Sequence, residues 1–257
     1  METVILIMTA FCASLLTFYS GFGLGTLLMP VVAIFFPLPV AVAMTAVVHF
    51  LNNIFKVFLI GARADRKVVL GFGVPALLAA LVGASLLVAL AELPVILSYE
   101  LADREVEVTF IKIVLGGLIL LFAMLELSPR FARLSVDSRY LPLGGLLSGF
   151  FGGLSGHQGA LRSMFLIKSG LDKESYVATA IVIAVLVDIS RLVIYGNTLF
   201  DQVRTLDWQL IGLTCAAAFA GAWLGKKLLK KVTIDAIRFL VACLLLVVGT
   251  GLISGLL

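Results

Sequence analysis

Long apolar runs recur along the whole chain and are separated by short polar segments. The uninterrupted runs each hold about 20 residues, the length of helix that crosses a hydrocarbon core of ~30 Å. This pattern predicts six complete membrane-spanning helices. They cover Val40–Ile60, Val68–Leu90, Thr109–Leu127, Ser175–Tyr195, Trp208–Leu229 and Ile234–Leu256.

Two further apolar segments, Thr3–Phe36 and Arg139–Ser169, are interrupted by clusters of glycine. As straight helices they would be roughly 46–51 Å long, which is too long for one crossing. Each segment is therefore either one kinked span or a re-entrant hairpin that enters and leaves the membrane on one face. The kinked spans would give eight crossings in all.

The basic residues decide between these alternatives, because short cytoplasmic loops are enriched in Lys and Arg. With hairpins, all basic loops lie on one face and the acidic segment Glu92–Glu107 lies on the other. With eight crossings, the last basic loop changes side. We therefore predict hairpins, a cytoplasmic basic face and both termini outside. The basic residues are Arg63, Arg66, Lys67, Arg130, Arg133, Arg139, Lys168, Lys173, Lys226, Lys227, Lys230 and Lys231.

The two halves of the chain are weakly similar to each other. A shift of 135 residues aligns Gly21–Gly61 with Gly156–Gly196, with 8 of 41 positions identical. A polar position supports the alignment, since Asn53 aligns with Asp188. Each half then consists of a hairpin and three spans, and because three is odd the second half starts on the opposite face. We predict inverted repeats, as in many secondary transporters; the alternative is chance similarity between apolar sequences.

Composition limits the chain to one class of protein. Of its 257 residues, 61% are hydrophobic and 13% are charged, whereas soluble domains have about 25% charged residues. We predict one all-α polytopic membrane domain, residues 1–257, made of two inverted repeats at 1–127 and 139–257. Each repeat is a re-entrant helical hairpin plus three transmembrane helices.

The charged residues and cysteines indicate which partners to expect. The net charge of +4 lies in short loops, which favours a lipid bilayer as partner and not nucleic acid. Cys12, Cys215 and Cys243 lie in apolar runs without metal-ligand spacing, so we expect neither a metal nor another cofactor. A homo-oligomer is compatible with this sequence.

The two glycine-rich breaks are the first candidate for a binding site. A helix broken at membrane depth exposes backbone N–H groups, and the following half-helix presents a positive dipole end. Glycine also lets an anion approach the backbone closely. We predict an anion site between the breaks, near the membrane midplane; the alternative is that the glycines only permit close helix packing. The candidates are Gly21, Gly23, Gly25 and Thr26 in the first half and Gly156 and Gly159 in the second.

Polar residues within the third apolar segment are the second candidate. His49, Asn52, Asn53 and Lys56 follow the i, i+3, i+4, i+7 spacing of one helix face. Ionisable groups at this depth face a cavity or a partner. We predict substrate contacts from His49, Asn52 and Asn53. Lys56 either has a functional role or extends to the interface. His49 is either a pH-sensitive group or a hydrogen-bonded structural one, which leaves protons as a candidate coupling ion.

The second half contributes further polar candidates. Asp188 and Arg191 are three residues apart in the helix that matches the one carrying His49. We predict that Asp188 pairs with Arg191 or Lys56 and is not a proton carrier. Both Asp188 and Arg191 are candidate site residues, although Arg191 could instead reach the interface.

His157, Gln158 and Arg162 follow the second break. Arginine binds an oxyanion through two N–H groups, and the glutamine amide can donate a third hydrogen bond. We predict substrate contacts from this group. The alternative is a polar patch that only satisfies the broken backbone.

The residues after the two breaks resemble a known family. They read FPLPVAVAMTAVV over Phe36–Val48 and SGLDKESYVATAIVI over Ser169–Ile183, and with the glycine breaks they are similar to the TauE/SafE sulfite exporter family (TSUP). The resemblance spans the whole chain. It implies a multi-pass protein of the inner (plasma) membrane that transports sulfite, sulfonates, sulfoacetate or related organic anions. The sequence departs from the family's usual Gly-Gly-Gly run at Gly156–Gly159, which leaves the particular anion open.

Other functions were weighed against transport by alternating access. Gly153–Gly156 reads G-x-S-G, the motif around the nucleophile of rhomboid intramembrane serine proteases. That chemistry needs a histidine that reaches the serine from another helix, and no histidine lies in the later spans, so we do not expect an enzyme. A passive anion channel is the other alternative. Buried charges argue against a purely structural scaffold.

Overall fold

The computed structural model describes residues 1–18, 23–101, 104–128, 134–198, 207–228 and 234–257. Within these ranges the chain forms ten helices and one pair of strands. The helices are α1 (Glu2–Thr17), α2 (Leu24–Phe35), α3 (Leu38–Ile60), α4 (Arg66–Ala91), α5 (Phe110–Leu127), α6 (Leu141–Ser155), α7 (Gly159–Leu166), α8 (Lys173–Thr198), α9 (Trp208–Leu228) and α10 (Ile234–Ile253). The strands are β1 (Val95–Leu101) and β2 (Arg104–Thr109).

Within the described ranges, four helices are long and apolar enough to cross a membrane: α3, α4, α8 and α9. The shorter apolar helices are α1, α2, α5 and α10, and the last two lie where spans are predicted. Together with the small amount of sheet, this confirms the predicted all-α polytopic membrane protein.

Local sequence signals set several helix ends. Pro37 precedes α3, where its missing N–H costs no helical hydrogen bond. Asp172 precedes α8 and accepts hydrogen bonds from the backbone and hydroxyl of Ser175, which hold the pKa of this carboxyl below its ordinary value. Gly156 ends α6 with a left-handed φ of 77°, a conformation that glycine adopts at little cost.

The second glycine break forms a hairpin. The chain reverses at Gly156, and the Ser148 hydroxyl of α6 donates to the carbonyl of Gln158 at 3.1 Å. Just before α6, the N–H of Val136 donates to the carbonyl of Met164 in α7 at 3.0 Å. The start of α6 and the end of α7 therefore lie side by side, which confirms the predicted hairpin in this half.

Glycines allow α6 and α1 to pack closely against helices of the opposite half. A Cβ at Gly149 of α6 would lie 2.1 Å from the carbonyl oxygen of Ala76 in α4. A Cβ at Gly221 of α9 would lie 2.3 Å from the carbonyl oxygen of Phe11 in α1. Only residues without a side chain allow backbones to approach this closely. The first helix of each half thus packs on a later helix of the other half.

The first hairpin follows from helix directions. Contacts advance together along α1 and α9, from Phe11 beside Gly221 to Leu15 beside Gly225, so these helices run parallel. The Lys226 ammonium of α9 donates to the carbonyl of Leu59 near the end of α3, so α9 and α3 end on one face. The helix between α1 and α3, α2, begins beside the middle of α3 and turns directly into it, so it runs the opposite way. The pair α1–α2 therefore opens on the face opposite to the α6–α7 hairpin.

The same contact decides the positions of the basic loops. Lys226 and Leu59 share a face, and Arg63 at that face forms an ion pair with Glu174 at the start of α8. The alternative of eight crossings, which puts the first and last basic loops on opposite sides, is therefore wrong. Arg130, Arg133, Lys230 and Lys231 lie outside the described residues.

Which face is cytoplasmic stays a prediction that labelling can test. Cysteines placed at Arg63 and Lys227, in a chain lacking its native cysteines, are expected to react with an impermeant maleimide from the same, cytoplasmic side, because both lie on the basic face. Labelling from opposite sides of sealed cells and inverted vesicles would contradict the fold, and labelling of both from outside would reverse the orientation. A cysteine at Tyr99, in β1, serves as the marker of the other face.

The helix boundaries repeat with the offset seen in the sequence. Helices α2 and α7 begin at Leu24 and Gly159, and helices α3 and α8 begin at Leu38 and Lys173, both pairs 135 residues apart. The opposite directions of the two hairpins are those that an inverted repeat requires. The inverted relation between the complete halves stays a prediction.

The segment predicted as an acidic loop instead contains the antiparallel strands β1 and β2. In β2, buried Val106 and Val108 alternate with Glu105 and Glu107, a period-two pattern typical of strands that sequence analysis missed. A Cβ at Gly255, after α10, would lie 2.8 Å from the carbonyl oxygen of Glu107. The hairpin therefore covers the end of α10 on the face opposite to the basic loops.

Candidate functional site

The centre of the site is the crossing of α3 and α8. There the carboxylate of Asp188 is fully buried and contacts two side chains of α3. His49 Nδ1 lies 2.7 Å from Asp188 Oδ2, and the Asn53 amide donates to the same oxygen at 3.1 Å. A proton must lie between His49 Nδ1 and the carboxylate oxygen, so Nδ1–H donates when Asp188 is ionised. A carboxylate buried this deeply requires such partners.

The other oxygen of Asp188 accepts a hydrogen bond from Arg191 Nη1 at 3.4 Å. Arg191 is 4% exposed, and its guanidinium lies 5.8 Å from the centre of the Tyr195 ring. The predicted Asp188–Arg191 pair is therefore present, and extension of Arg191 to the interface is wrong. Sequence analysis did not anticipate the His49 partner, which comes from another helix.

A small cavity lies beside this centre, toward the basic loops. Its volume is about 20 Å³, which in this conformation accommodates about one water-sized molecule. It is lined by Thr17, Phe18, Gly23, His49, Asn53, Lys56, Arg162, Tyr176, Val177, Ala180, Ile181 and Ala184. The cavity thus brings residues of both predicted halves of the site together.

Positive charge dominates around the cavity. Lys56 and Arg162 line it and are only 3% and 4% exposed, so Lys56 does not extend to the interface. The Lys56 ammonium lies 5.5 Å from the centre of the Phe18 ring. With Arg191 nearby, three cationic side chains and the single carboxylate of Asp188 form the charged groups described here. Because buried charge is costly unless it is balanced, this environment favours a bound anion.

Gly23 brings the N-terminus of α2 to the same cavity. It precedes α2 in an extended conformation, with φ −81° and ψ 147°. A Cβ at this position would lie 2.7 Å from His49 Nε2. Only glycine therefore allows the imidazole to lie against the backbone, where the N–H groups of the first helical turn add partial positive charge.

Gly23→Ala is expected to reduce anion binding and transport about tenfold or more, because the added methyl group displaces the His49 ring, and misplacement of a site group by 1 Å can cost about 100-fold. The protein should still insert, since alanine adopts the backbone angles of Gly23. Gly212→Ala, whose Cβ meets nothing within 4 Å, is the matched control. Substrate titration and initial transport rates measure the effect. Wild-type rates in Gly23→Ala would remove this helix end from the site.

Other candidates of the first half lie beside the cavity without lining it. A Cβ at Gly25 would lie 3.6 Å from side-chain atoms of both His49 and Thr45. Thr26 is buried in the first turn of α2. Asn52 points to α1 instead, where its Oδ1 accepts a hydrogen bond from Ser14 at 3.1 Å. Gly21 lies outside the described residues.

The second break is divided between two sides of Asp188. Arg162 lines the cavity, whereas His157 and Gln158 are buried away from it. The His157 ring stacks against Phe122, with centres 6.1 Å apart. A Cβ at Gly156 would lie 3.2 Å from Arg191 Nη1, and Gly159 is buried at the start of α7. The predicted cluster of His157, Gln158 and Arg162 is therefore not one group.

Several cavity residues were not among the predicted site residues. Lys56 had been left undecided, although its position seven residues after His49 placed it on the same helix face. Thr17, Phe18 and Tyr176 come from segments distant in the chain and carry no local signal of a site. Only the packing of α1 and α8 around α3 brings them together.

The geometry at Ser155 does not match a serine protease. The Ser155 hydroxyl donates to the carbonyl of Phe151 at 3.0 Å. The Nδ1 of His157 lies 2.9 Å from the backbone carbonyl of Ser155, not from its hydroxyl, and His49 is engaged by Asp188. Among the described residues, neither histidine ring is positioned as the base for this hydroxyl.

The fold and the site define a multi-pass helical membrane protein with a buried, predominantly cationic centre. The chain belongs to the Sulfite exporter TauE/SafE family, whose family model matches residues 6–252. The resemblance seen in the sequence is thereby confirmed. No curated protein matches the chain. Membership supports membrane transport of an anion, the activity of a transporter family and not of an enzyme family.

Proposed function

We propose that the protein transports small sulfur-containing or organic anions, of the sulfite, sulfonate or sulfoacetate type. The observation that carries this proposal is the burial of Lys56 and Arg162 in one cavity beside the N-terminus of α2. The two cations and the helix end all favour negative charge. Family membership narrows the anion to the class that sulfite exporters carry.

The groups of the cavity suit an oxyanion. Arg162 can donate two parallel N–H groups to two oxygens, and Lys56 adds a compact positive charge. The Asn53 amide, which already donates to Asp188, places a further polar group at the cavity wall. Sulfite and sulfonates present three oxygens and only accept hydrogen bonds when fully ionised, which matches this set of donors. A residue such as Tyr176 could additionally contact the organic part of a sulfonate.

Alternating access would proceed across the Asp188 layer. On the side of the basic loops lies the cavity; on the other side the Tyr195 hydroxyl donates to the carbonyl of Gly153 at 3.0 Å and joins α8 to α6. Opening of this contact, together with closure around Lys56, would transfer the site from one face to the other. Such rocking of two halves around a midplane site is the common mode of transporters with inverted repeats.

A ligand screen tests the proposal. Purified protein in detergent is titrated with sulfite, methanesulfonate, sulfoacetate, acetate and chloride, and thermal unfolding is recorded. An anion present at 100 times its dissociation constant should stabilise the folded state by about 2.7 kcal/mol. Stabilisation by sulfite or a sulfonate but not by chloride is expected. If none of these anions shifts the transition, the proposed substrate class is wrong.

We further propose protons as the coupling ion, carried at the His49–Asp188 pair. Among the described residues, Asn53, Lys56, Arg162 and Arg191 face this pair or its cavity. His49 is the group whose ordinary pKa lies near neutrality, so entry of an anion beside it would favour its protonated form.

His49→Gln is expected to abolish the dependence of anion accumulation on an imposed pH gradient, because an amide does not carry a proton. Exchange of anion for anion should persist at a reduced rate. His157→Gln is the matched control, since His157 lies outside the cavity. Accumulation in proteoliposomes with and without a pH gradient measures the effect. A pH-gradient dependence that survives His49→Gln would assign coupling elsewhere.

A further inference from the structure

The far side of the Asp188 layer contains polar atoms without partners. Thr45 Oγ1, Arg191 Nε and both amide atoms of Gln158 have no hydrogen-bond partner among the described residues. All three side chains are at most 4% exposed. Buried polar groups normally find partners, so three such residues in one region require an explanation.

These residues are the counterparts of residues that line the cavity. The shift of 135 residues relates Lys56 to Arg191 and Gly23 to Gln158. It also relates Ala180, on the cavity wall, to Thr45. The cavity therefore has an image on the opposite side of Asp188, and that image is where the unpartnered atoms lie.

A contact at the centre supports this relation. Asn53 and Asp188 are aligned by the same shift, and they hydrogen-bond to each other at 3.1 Å. Two equivalent positions touch where a pseudo-twofold axis passes between them. The shared offset of the starts of α2 and α7, and of α3 and α8, places the axis between the halves as well.

The image residues form one continuous region in the structure. Cβ atoms added at Gly152 and Gly156 would lie 3.0 Å from Gln158 Cβ and 3.2 Å from Arg191 Nη1, respectively. Arg191 contacts Asp188, which contacts His49. Thr45 lies one helical turn before His49 on α3, beside Gly25. In this conformation the region is closed, while the cavity on the other side is present.

We propose that Arg191, Gln158 and Thr45 form the second binding position of the transported anion, occupied when the protein opens to the face opposite the basic loops. This inference rests on the proposed function. The Arg191 guanidinium, the Gln158 amide and the Thr45 hydroxyl supply donors for the oxygens of a sulfonate-type oxyanion. Opening of the region satisfies these atoms, and closure of the cavity around Lys56 accompanies it.

Sided labelling tests the proposal. In a chain lacking Cys12, Cys215 and Cys243, single cysteines replace Ala180 on the cavity wall or Gln158 in the image region. An impermeant maleimide is applied to either face of sealed vesicles, with and without sulfoacetate. Arg66→Cys and Gln209→Cys mark the two faces, because both positions are exposed near helix starts on opposite sides.

The expected result is labelling of Ala180→Cys from the basic face only and of Gln158→Cys from the other face only. Saturating sulfoacetate should slow both reactions about tenfold, while the two markers react unchanged. Labelling of Gln158→Cys from the basic face, or from neither face, overturns the proposal. Correct sidedness without protection by sulfoacetate, sulfite-like anions or acetate would instead refute the proposed function.

Function provides a second measurement if the cysteine variants fold poorly. Gln158→Met and Thr45→Val remove the donors with little change in volume, and Gln209→Met is the matched control. Each site variant is expected to reduce sulfoacetate transport about tenfold, the effect of about 1.4 kcal/mol in binding. Wild-type transport in both site variants overturns the second binding position.

Discussion

Asp188→Asn is expected to destabilise the protein by about 3–5 kcal/mol and to abolish transport, because removing one member of a buried ionic group leaves the others unbalanced. The Asp188 carboxylate contacts His49, Asn53 and Arg191, from two crossing helices. An amide keeps the shape but not the charge, so the guanidinium of Arg191 would remain buried without its counter-ion. Thermal unfolding in detergent and anion flux in proteoliposomes measure the two effects.

Two further variants make the test specific. Asp172→Asn is the control, because Asp172 is exposed and asparagine caps a helix about as well as aspartate. The double variant Asp188→Asn/Arg191→Gln should recover part of the lost stability, since it removes both charges. Unchanged unfolding of Asp188→Asn, or no recovery in the double variant, would show that Asp188 does not balance Arg191.

Arg162→Gln is expected to weaken anion binding by about 1.5–3 kcal/mol, the contribution of a hydrogen bond to a charged group, which corresponds to a loss of about 10-fold to more than 100-fold. Arg162→Lys should weaken binding less, because an ammonium retains the charge but not the planar pair of donors. Arg162 lines the cavity and is 4% exposed, so bulk solvent does not screen this interaction strongly.

The matched control is Arg66→Gln, an exposed arginine on the basic face. Substrate titration separates a binding role of Arg162 from a structural one. If Arg162→Gln lowers the melting temperature of the ligand-free protein but leaves affinity unchanged, Arg162 is a structural residue and not part of the binding site.

The fold was largely predictable because the bilayer imposes a simple pattern. Helix length, the two glycine breaks and the sidedness of Lys and Arg together predicted spans and hairpins. The β1–β2 pair was missed because the charges of Glu105 and Glu107 suggested a loop, although buried Val106 and Val108 alternate with them. Reading charge before periodicity caused this error.

The site was predictable only where its residues share a helix. The spacing of His49, Asn53 and Lys56 revealed one polar face of α3, and Asp188 and Arg191 revealed another in α8. The same spacing wrongly grouped Asn52 with them, because its actual neighbour is Ser14 of α1. Which side chain of one helix meets which of another depends on crossing geometry, and a single sequence does not contain that information.

Counterflow of labelled sulfoacetate tests the central claim most directly. Proteoliposomes are loaded with unlabelled sulfoacetate and diluted into medium with a trace of labelled sulfoacetate, beside liposomes that contain Lys56→Met or Arg162→Gln protein. The account predicts transient accumulation of label in wild-type proteoliposomes, a strong reduction in both variants, and similar accumulation when sulfite replaces the internal anion. Equilibration of label without accumulation would indicate a channel, and no uptake of any sulfonate or sulfite would contradict the proposed transport of these anions.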